Sequence, residues 1–238
     1  MIRALWITLM ASIAVCAVGA ELDRASRREP ALTAVVPGPF RSFAQERLTT
    51  TVVRSGTPAV AMDTARTLVR RRPLPSEHLS LLAIAEERNG DRAGSGLLIQ
   101  AAARRGWRDS IAQQAMFDIA LGAGDPAEAS RRLAALWSQN EDQVPLGDLT
   151  TRLLATPQGR KAMAETLKTP GRWQKAFLSP SSENMSKELA ETIAEADRAG
   201  ARLDCTSLGR LGQFYAGQKR ADEEALVAGA IKNCTKAD

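Results

Sequence analysis

Apolar and small residues recur along this chain at a fixed spacing of 34 residues. The spacing is anchored by three glycines that each begin a short polar or proline-containing turn: Gly56, Gly90 and Gly124. Two apolar columns keep the same register, namely Ala65/Ile99/Leu133 and Leu68/Ala102/Leu136. Because these columns stand three residues apart, they share one face of a helix, and the pattern predicts an amphipathic helix on each side of every turn.

The turns divide residues 42–140 into three predicted helical hairpins. Helices are expected over residues 42–54 and 60–71, from Ser76 and over 93–105, and over 111–121 and 126–138. Asp91 and Asp125 follow turn glycines, and Asp125 precedes Pro126 and Glu128 in the order typical of a helix start. A hairpin of this length cannot bury its apolar face alone, so the expected fold is all-α, a right-handed α-solenoid of helix-turn-helix repeats.

The register is lost over residues 141–204, where prolines and serines separate helix-like pieces of irregular length. It is expected to resume as a C-terminal hairpin over residues 205–234. That hairpin carries the pattern Leu-x-x-Leu-Gly-x-x-Tyr, formed by Leu208, Leu211, Gly212 and Tyr215. The segment that contains Trp173 and Phe177 is expected to anchor the irregular region in the core.

These features resemble the tetratricopeptide repeat family. The resemblance rests on the 34-residue period, the small residues Ala61 and Ala129, the closing Pro73, and the motif at Leu208 to Tyr215. The first helices of the three N-terminal hairpins lack the family's usual aromatic residues, so these repeats are divergent. The resemblance implies a bacterial protein whose first helices bind a partner protein along a concave face.

The N-terminal segment predicts export or anchoring. Arg3 is followed by an uncharged, largely apolar stretch over residues 4–20 that ends in Val18-Gly19-Ala20, a sequence suited to cleavage after Ala20. The stretch is also long enough to serve as an uncleaved membrane anchor, and both alternatives stay open. Either would place the rest of the chain outside the cytoplasm, in the periplasm. Valine precedes Cys16, which departs from the pattern for lipidation, and residues 21–41 are expected to be a charged, proline-containing linker.

The two remaining cysteines are expected to form a structural disulfide. Cys205 begins the first helix of the last hairpin and Cys234 ends the second, and these two ends are neighbours in an antiparallel pair. An exported domain meets conditions in which disulfides persist. The alternative, a metal or redox role for the thiols, lacks both a CxxC motif and a nearby histidine.

The composition contains few residues that could form a catalytic, metal-binding or nucleic-acid-binding site. A single histidine, His78, argues against histidine triads and multi-histidine metal sites, so neither a cofactor nor a metal is expected. The formal charge of +5 is concentrated in the first half, but no aromatic residues alternate with the arginines as in nucleic-acid grooves. Arginines at the ends of second helices are better explained by the helix dipole than by an acidic partner.

The sequence therefore favours a non-enzymatic adaptor of the bacterial cell envelope that binds another protein. Register assigns six residues to its binding face: Glu77, His78, Ser80, Gln113, Gln114 and Asp118. The first alternative is a self-associating spacer, with a homo-oligomer as its product. The second is an envelope hydrolase built on a helical solenoid, which needs a buried glutamate in a deep cleft.

Overall fold

The computed structural model describes residues 2–139, 144–179 and 185–234, and in these ranges the regular structure is entirely helical. The chain forms two compact units, Met1–Gly106 and Trp107–Asp238. The helices of the first unit are α1 (Ile2–Ser26), α2 (Phe43–Ser55), α3 (Pro58–Arg71), α4 (Ser76–Arg88) and α5 (Arg92–Arg105). Two short 3-10 turns, Pro30–Ala34 and Gly38–Phe40, connect α1 to α2.

The second unit contains eight α-helices in its described residues. They are α6 (Ser110–Gly122), α7 (Pro126–Gln139), α8 (Leu146–Leu154), α9 (Pro157–Thr166), α10 (Arg172–Phe177), α11 (Lys187–Arg198), α12 (Cys205–Gly217) and α13 (Ala221–Cys234). The fold is therefore all-α with an apolar N-terminal helix, as the sequence predicts, and it is compatible with a helical repeat protein.

The hydrophobic pattern predicts the positions of the hairpin helices accurately. All six helices predicted between residues 42 and 140 are present, with boundaries within two residues of those expected. The apolar columns at positions 65/99/133 and 68/102/136 are buried in every repeat. The third hairpin, α6–α7, belongs to the second unit, so the boundary between units falls inside the stretch that the sequence treats as one array.

Each unit has its own core. In the first, Ala61, Ala65 and Leu68 of α3 pack with Leu81 and Ala85 of α4. In the second, the core is larger and includes a cluster of aromatic residues. Trp137 meets Phe177 edge-on with ring centroids 5.8 Å apart, and Trp173 lies 5.9 Å from the same ring. The Trp173–Phe177 segment is thus part of the core, as expected.

The repeat turns differ in backbone conformation. Gly90 and Gly124 adopt positive φ angles of 92° and 71°, the left-handed conformation that ends a helix and that favours glycine. Gly56 also follows a helix, but its φ of −78° is ordinary, so glycine is not required there by backbone angle. In the C-terminal hairpin the left-handed position is occupied by Lys219, with φ 56°.

A second feature also repeats every 34 residues. The last residue of each second helix, Arg71, Arg105 or Gln139, donates to a backbone carbonyl in the segment that precedes its own hairpin. The acceptors are Gly38, Pro73 and Trp107. Each of these contacts lies within one compact unit, and each ties the end of a hairpin to the chain about one repeat earlier.

Candidate functional site

The residues predicted to line a groove fall on α4 and α6, which belong to different units. Glu77 and Asp118 are exposed and Gln114 is half-buried. His78, Ser80 and Gln113 are only 1%, 0% and 1% exposed, so the prediction that they line a groove is wrong. The reason is that these polar groups are used inside the fold: Gln113 accepts from Arg132, for example, and the His78 ring is 2.8 Å from the Arg72 carbonyl oxygen.

The segment after the apolar stretch is not a linker. Helix α1 continues to Ser26, and Asp23 near its end is 5% exposed. The Asp23 carboxylate accepts from the backbone N–H groups of Ser42 (2.9 Å), Phe43 (3.1 Å) and Ala44 (2.9 Å). These are N–H groups at the start of α2, which has no side-chain cap of its own. The prediction of a linker over residues 21–41 is therefore wrong, because this stretch supplies the cap of the first repeat helix.

Helix α1 also lies close to Phe40 in the segment that connects it to α2. A Cβ atom added at Gly19 would lie 2.5 Å from the ring of Phe40, so any other residue at this position would displace the ring from α1. Val36, in the same connecting segment, is 1% exposed. The last turns of α1 are consequently part of the first folded unit, whereas the apolar residues before them are exposed.

The apolar portion of α1 has the length and composition of a membrane span. Its mean hydropathy is 1.9 over an 18-residue window of which 6% is buried, and it is the only such helix in the described ranges. Nine large apolar side chains, from Ile2 to Val18, are at least half exposed. A helix of this kind fits either a membrane anchor or an export signal.

Two adjoining pockets lie beside the end of α1. Their volumes are about 570 Å³ and about 1050 Å³, and both are lined by Arg27 and Phe43. We call the combined surface the arginine pocket. Its charged lining consists of Arg24, Arg27, Arg28, Arg47 and Arg72 together with Glu21, Glu29, Glu46 and Glu77. The guanidinium groups of Arg27 and Arg72 lie 5.2 Å and 4.5 Å from the centre of the Phe43 ring.

One of these glutamates, Glu46, is paired with an arginine in the wall of the pocket. The Glu46 carboxylate accepts from Arg72 at 2.5 Å, and Nε2 of the buried His78 lies 3.3 Å from the same oxygen. The contact with His78 is the largest of the interactions that lower the pKa of Glu46 below its usual value, and Arg72 adds to it, while burial acts in the opposite direction. His78 Nδ1 donates to the Arg72 carbonyl, so this histidine holds the end of α3 against α4.

The second unit has a different surface pocket of about 540 Å³. Its lining includes Trp107, Arg108, Gln139 and Arg172. The Trp107 side chain is 52% exposed and lies 4.9 Å beneath the Arg108 guanidinium. Stacking on Arg108 covers part of an aromatic side chain that would otherwise face water.

The buried carboxylates have structural tasks. Asp23 and Asp109 are the buried acidic residues among those described, and Asp109 accepts from the Ala112 N–H at the start of α6. The described part of the chain contains no group of three or more His, Cys, Asp and Glu side chains that could hold a metal ion.

Sequence reasoning missed Asp23, Phe43 and Glu46. Each acts across sixteen or more residues, and local patterns carry no signal for such contacts.

In the C-terminal hairpin, Cys205 and Cys234 are bonded, with Cα atoms 5.5 Å apart. Their helices also meet at Gly212, where an added Cβ would lie 2.6 Å from Ile231. Tyr215 is fully buried, and burial raises the pKa of its hydroxyl to about 12.

Comparison with family models, with curated proteins and with solved structures found no match to this chain.

Proposed function

We propose that this protein is a membrane-anchored, tetratricopeptide-like scaffold of the bacterial cell envelope that holds another protein against its helical hairpins. The observation that carries the proposal is the continuity of an exposed apolar helix with a repeat unit. One end of α1 is suited to lipid, and the other end caps α2 through Asp23. An anchor built into the fold positions the hairpins close to the bilayer, which a flexible linker would not do.

The anchor is retained in this proposal. Cleavage after Ala20 would remove Gly19 from its contact with Phe40. It would also leave a free, charged amino terminus two residues before Asp23, in the turn of helix that orients the capping carboxylate. Both changes weaken the start of the first repeat, so the geometry favours an uncleaved helix over an export signal.

The folded units are proposed to lie in the periplasm. The Cys205–Cys234 disulfide supports this location because such bonds persist in oxidising compartments. The arginines that follow the apolar stretch would, on their own, favour the cytoplasmic side. A C-terminal reporter enzyme that folds only outside the cytoplasm decides between the two, and its inactivity would overturn the periplasmic assignment.

Partner binding is tested by cross-linking in cells. A photoreactive amino acid is introduced at Glu77 or Asp118, which are exposed on first helices, and at Ala59 or Ala93, which are exposed on second helices. The scaffold proposal expects one dominant envelope protein to be captured from the first-helix positions and not from the second-helix controls. Recovery of cross-links only to the protein itself would contradict it.

That last result would point to a self-associating spacer. The feature that would favour self-association, large apolar residues exposed on the terminal helix, is not found among the described residues of α13, where Leu226 and Ile231 are half-buried. The hydrolase alternative receives no support either, because the buried carboxylates Asp23 and Asp109 both accept from helix N-termini.

A further inference from the structure

Four arginines of the arginine pocket form no ion pair within the described residues. Arg72 is paired with Glu46. By contrast, no carboxylate in the described residues lies within ion-pair distance of Arg24, Arg27, Arg28 or Arg47. All four of these side chains are exposed. Glu21, Glu29 and Glu77 line the same pocket beyond ion-pair distance, so they offset the mutual repulsion of the four arginines only in part.

Two of these arginine side chains are held in place by contacts within the protein, which favours ligand binding. Arg47 donates to the Arg27 carbonyl at 3.2 Å, and the Arg27 guanidinium is held 5.2 Å from the Phe43 ring. These contacts fix both side chains to the junction between α1 and α2. Guanidinium groups that are positioned in advance lose less entropy when they bind phosphate oxygens.

The depth of the pocket favours one kind of anion. If the apolar stretch spans the bilayer, the α-helical rise of about 1.5 Å per residue puts Arg24 roughly 6 Å beyond Ala20, and Arg27 and Arg28 follow directly after the end of α1. The headgroup layer is about 5 to 8 Å thick on each side of the hydrocarbon core. The first arginine of the pocket, Arg24, therefore stands at the level of lipid phosphates.

From this juxtaposition we propose that the arginine pocket binds the phosphate group of an anionic phospholipid. The proposal rests on the anchor in the proposed function. The charged lining, five arginines and four glutamates, has an excess of one positive charge, which suits a singly charged phosphodiester better than a multiply charged anion. Phosphatidylglycerol has this charge, and paired guanidinium groups bind its phosphate oxygens through charge-assisted hydrogen bonds.

The test uses the full chain in detergent, where binding does not depend on whether α1 spans a membrane in cells. Native mass spectrometry measures the occupancy of short-chain phosphatidylglycerol and of phosphatidylcholine with the same acyl chains. The proposal expects one phosphatidylglycerol per protein, with an affinity about tenfold above phosphatidylcholine, which is the effect of one charge-assisted hydrogen bond.

Two triple variants with the same net charge distinguish lipid binding in the arginine pocket from nonspecific electrostatic attraction. Arg24→Gln, Arg28→Gln and Arg47→Gln together remove three arginines from the pocket, while Arg54→Gln, Arg70→Gln and Arg104→Gln remove three exposed arginines elsewhere in the same unit. Only the first triple variant is expected to abolish the preference. The single change Arg28→Gln serves as a check on folding, because this exposed side chain has no ion-pair partner in the described residues and its loss should still lower phosphatidylglycerol occupancy.

Three outcomes would overturn the proposal. The first is equal binding of the two lipids, and the second is an equal effect of the two triple variants. The third is displacement of the lipid by millimolar inorganic phosphate, which would make a soluble phosphate compound the ligand. None of these outcomes bears on whether α1 is retained in cells, so failure of the lipid site and failure of the anchor are distinguishable.

Discussion

At the scale of single residues, the most consequential side chain is Asp23. One carboxylate satisfies three N–H groups at the start of α2, and it does so from a different helix. Helix α2 is preceded by Ser42, a residue type that often caps helices, but the Ser42 side chain makes no capping bond here. The distant aspartate replaces the local cap, and this links the apolar helix to the first repeat.

Asp23→Ala is expected to lower the free energy of unfolding of the first unit by about 2 kcal/mol, because it leaves buried N–H groups unpaired. Asp23→Asn should cost less, since one amide oxygen still accepts. The measurement is urea denaturation of the detergent-solubilised protein. Asp63→Ala is the control, because Asp63 is exposed on α3 and forms no ion pair within the described residues. Equal effects of the two alanine changes would contradict the capping role.

Glu46 makes stability depend on pH. Its pKa in the folded protein is lowered, chiefly by His78, so its contribution to stability is fully present above the unfolded value of 4.5 and is lost as the pH falls through the folded value. The difference in stability between the wild type and Glu46→Gln should therefore be constant near neutral pH and shrink below about pH 4.5. Denaturation of both proteins across pH 3 to 7 tests this, and a constant difference across the whole range would be evidence against the assignment.

At the scale of the helices, the sequence pattern predicts where helices lie, but it does not predict which polar side chains are buried by long-range contacts. The 34-residue columns predicted the helices of α2 to α7 because burial repeats with the hairpins. The same columns could not tell which polar residues face a groove. His78, Ser80 and Gln113 stand beside the apolar face, and a small rotation of a helix decides whether such positions are buried or exposed.

The arginines at the ends of second helices also make long-range contacts that the sequence pattern does not predict. The sequence explains them by the helix dipole, whereas in the structure one residue of each group, Arg71 or Arg105, also donates to a backbone carbonyl that precedes its hairpin. Arg105 donates to the Pro73 carbonyl, and its neighbour Arg104 is exposed without a hydrogen-bond partner in the described part of the chain. Both would interact with the dipole at the end of α5. Only Arg105 ties the hairpin to the preceding loop.

This difference gives a matched pair of variants. Arg105→Ala is expected to lower the free energy of unfolding by about 1 kcal/mol, the usual contribution of an exposed hydrogen bond to a charged group, and Arg104→Ala by a few tenths at most. Thermal denaturation of the two variants compares them directly. If their melting temperatures agree, the repeated contact adds nothing beyond the dipole interaction.

At the scale of the whole molecule, the sequence predicted the fold class and the apolar N-terminal helix, and the structure has both. The division into two units after Gly106 could not be predicted, because no glycine or proline cluster marks it and the 34-residue register runs through it. The end of α1 also differs from the prediction. The prolines in residues 21–41 favour an extended linker, but Pro30 and Pro39 lie in 3-10 turns, Pro37 directly precedes the second turn, and both turns pack against α1.

The C-terminal hairpin is expected to depend on its disulfide. The cysteines are 29 residues apart in sequence, and closing a loop of that size stabilises a protein by about 3 kcal/mol in chain-entropy estimates. The double change Cys205→Ser and Cys234→Ser should destabilise the second unit by this order and leave the first unit unchanged. Limited proteolysis with mass spectrometry locates the effect: new cleavage should appear near α12 and α13, and protection equal to the wild type would exclude a stabilising role.

In the proposed function, α1 remains part of the mature protein and anchors the repeats. The most direct measurement is peptide mapping of C-terminally tagged protein extracted from the membrane fraction of cells. Trypsin cuts after Arg3 and Arg24, so a retained anchor gives a peptide covering residues 4–24. If α1 is retained, this peptide is recovered and the protein resists carbonate washing of the membranes. A soluble protein whose sequence begins at Glu21 would contradict it.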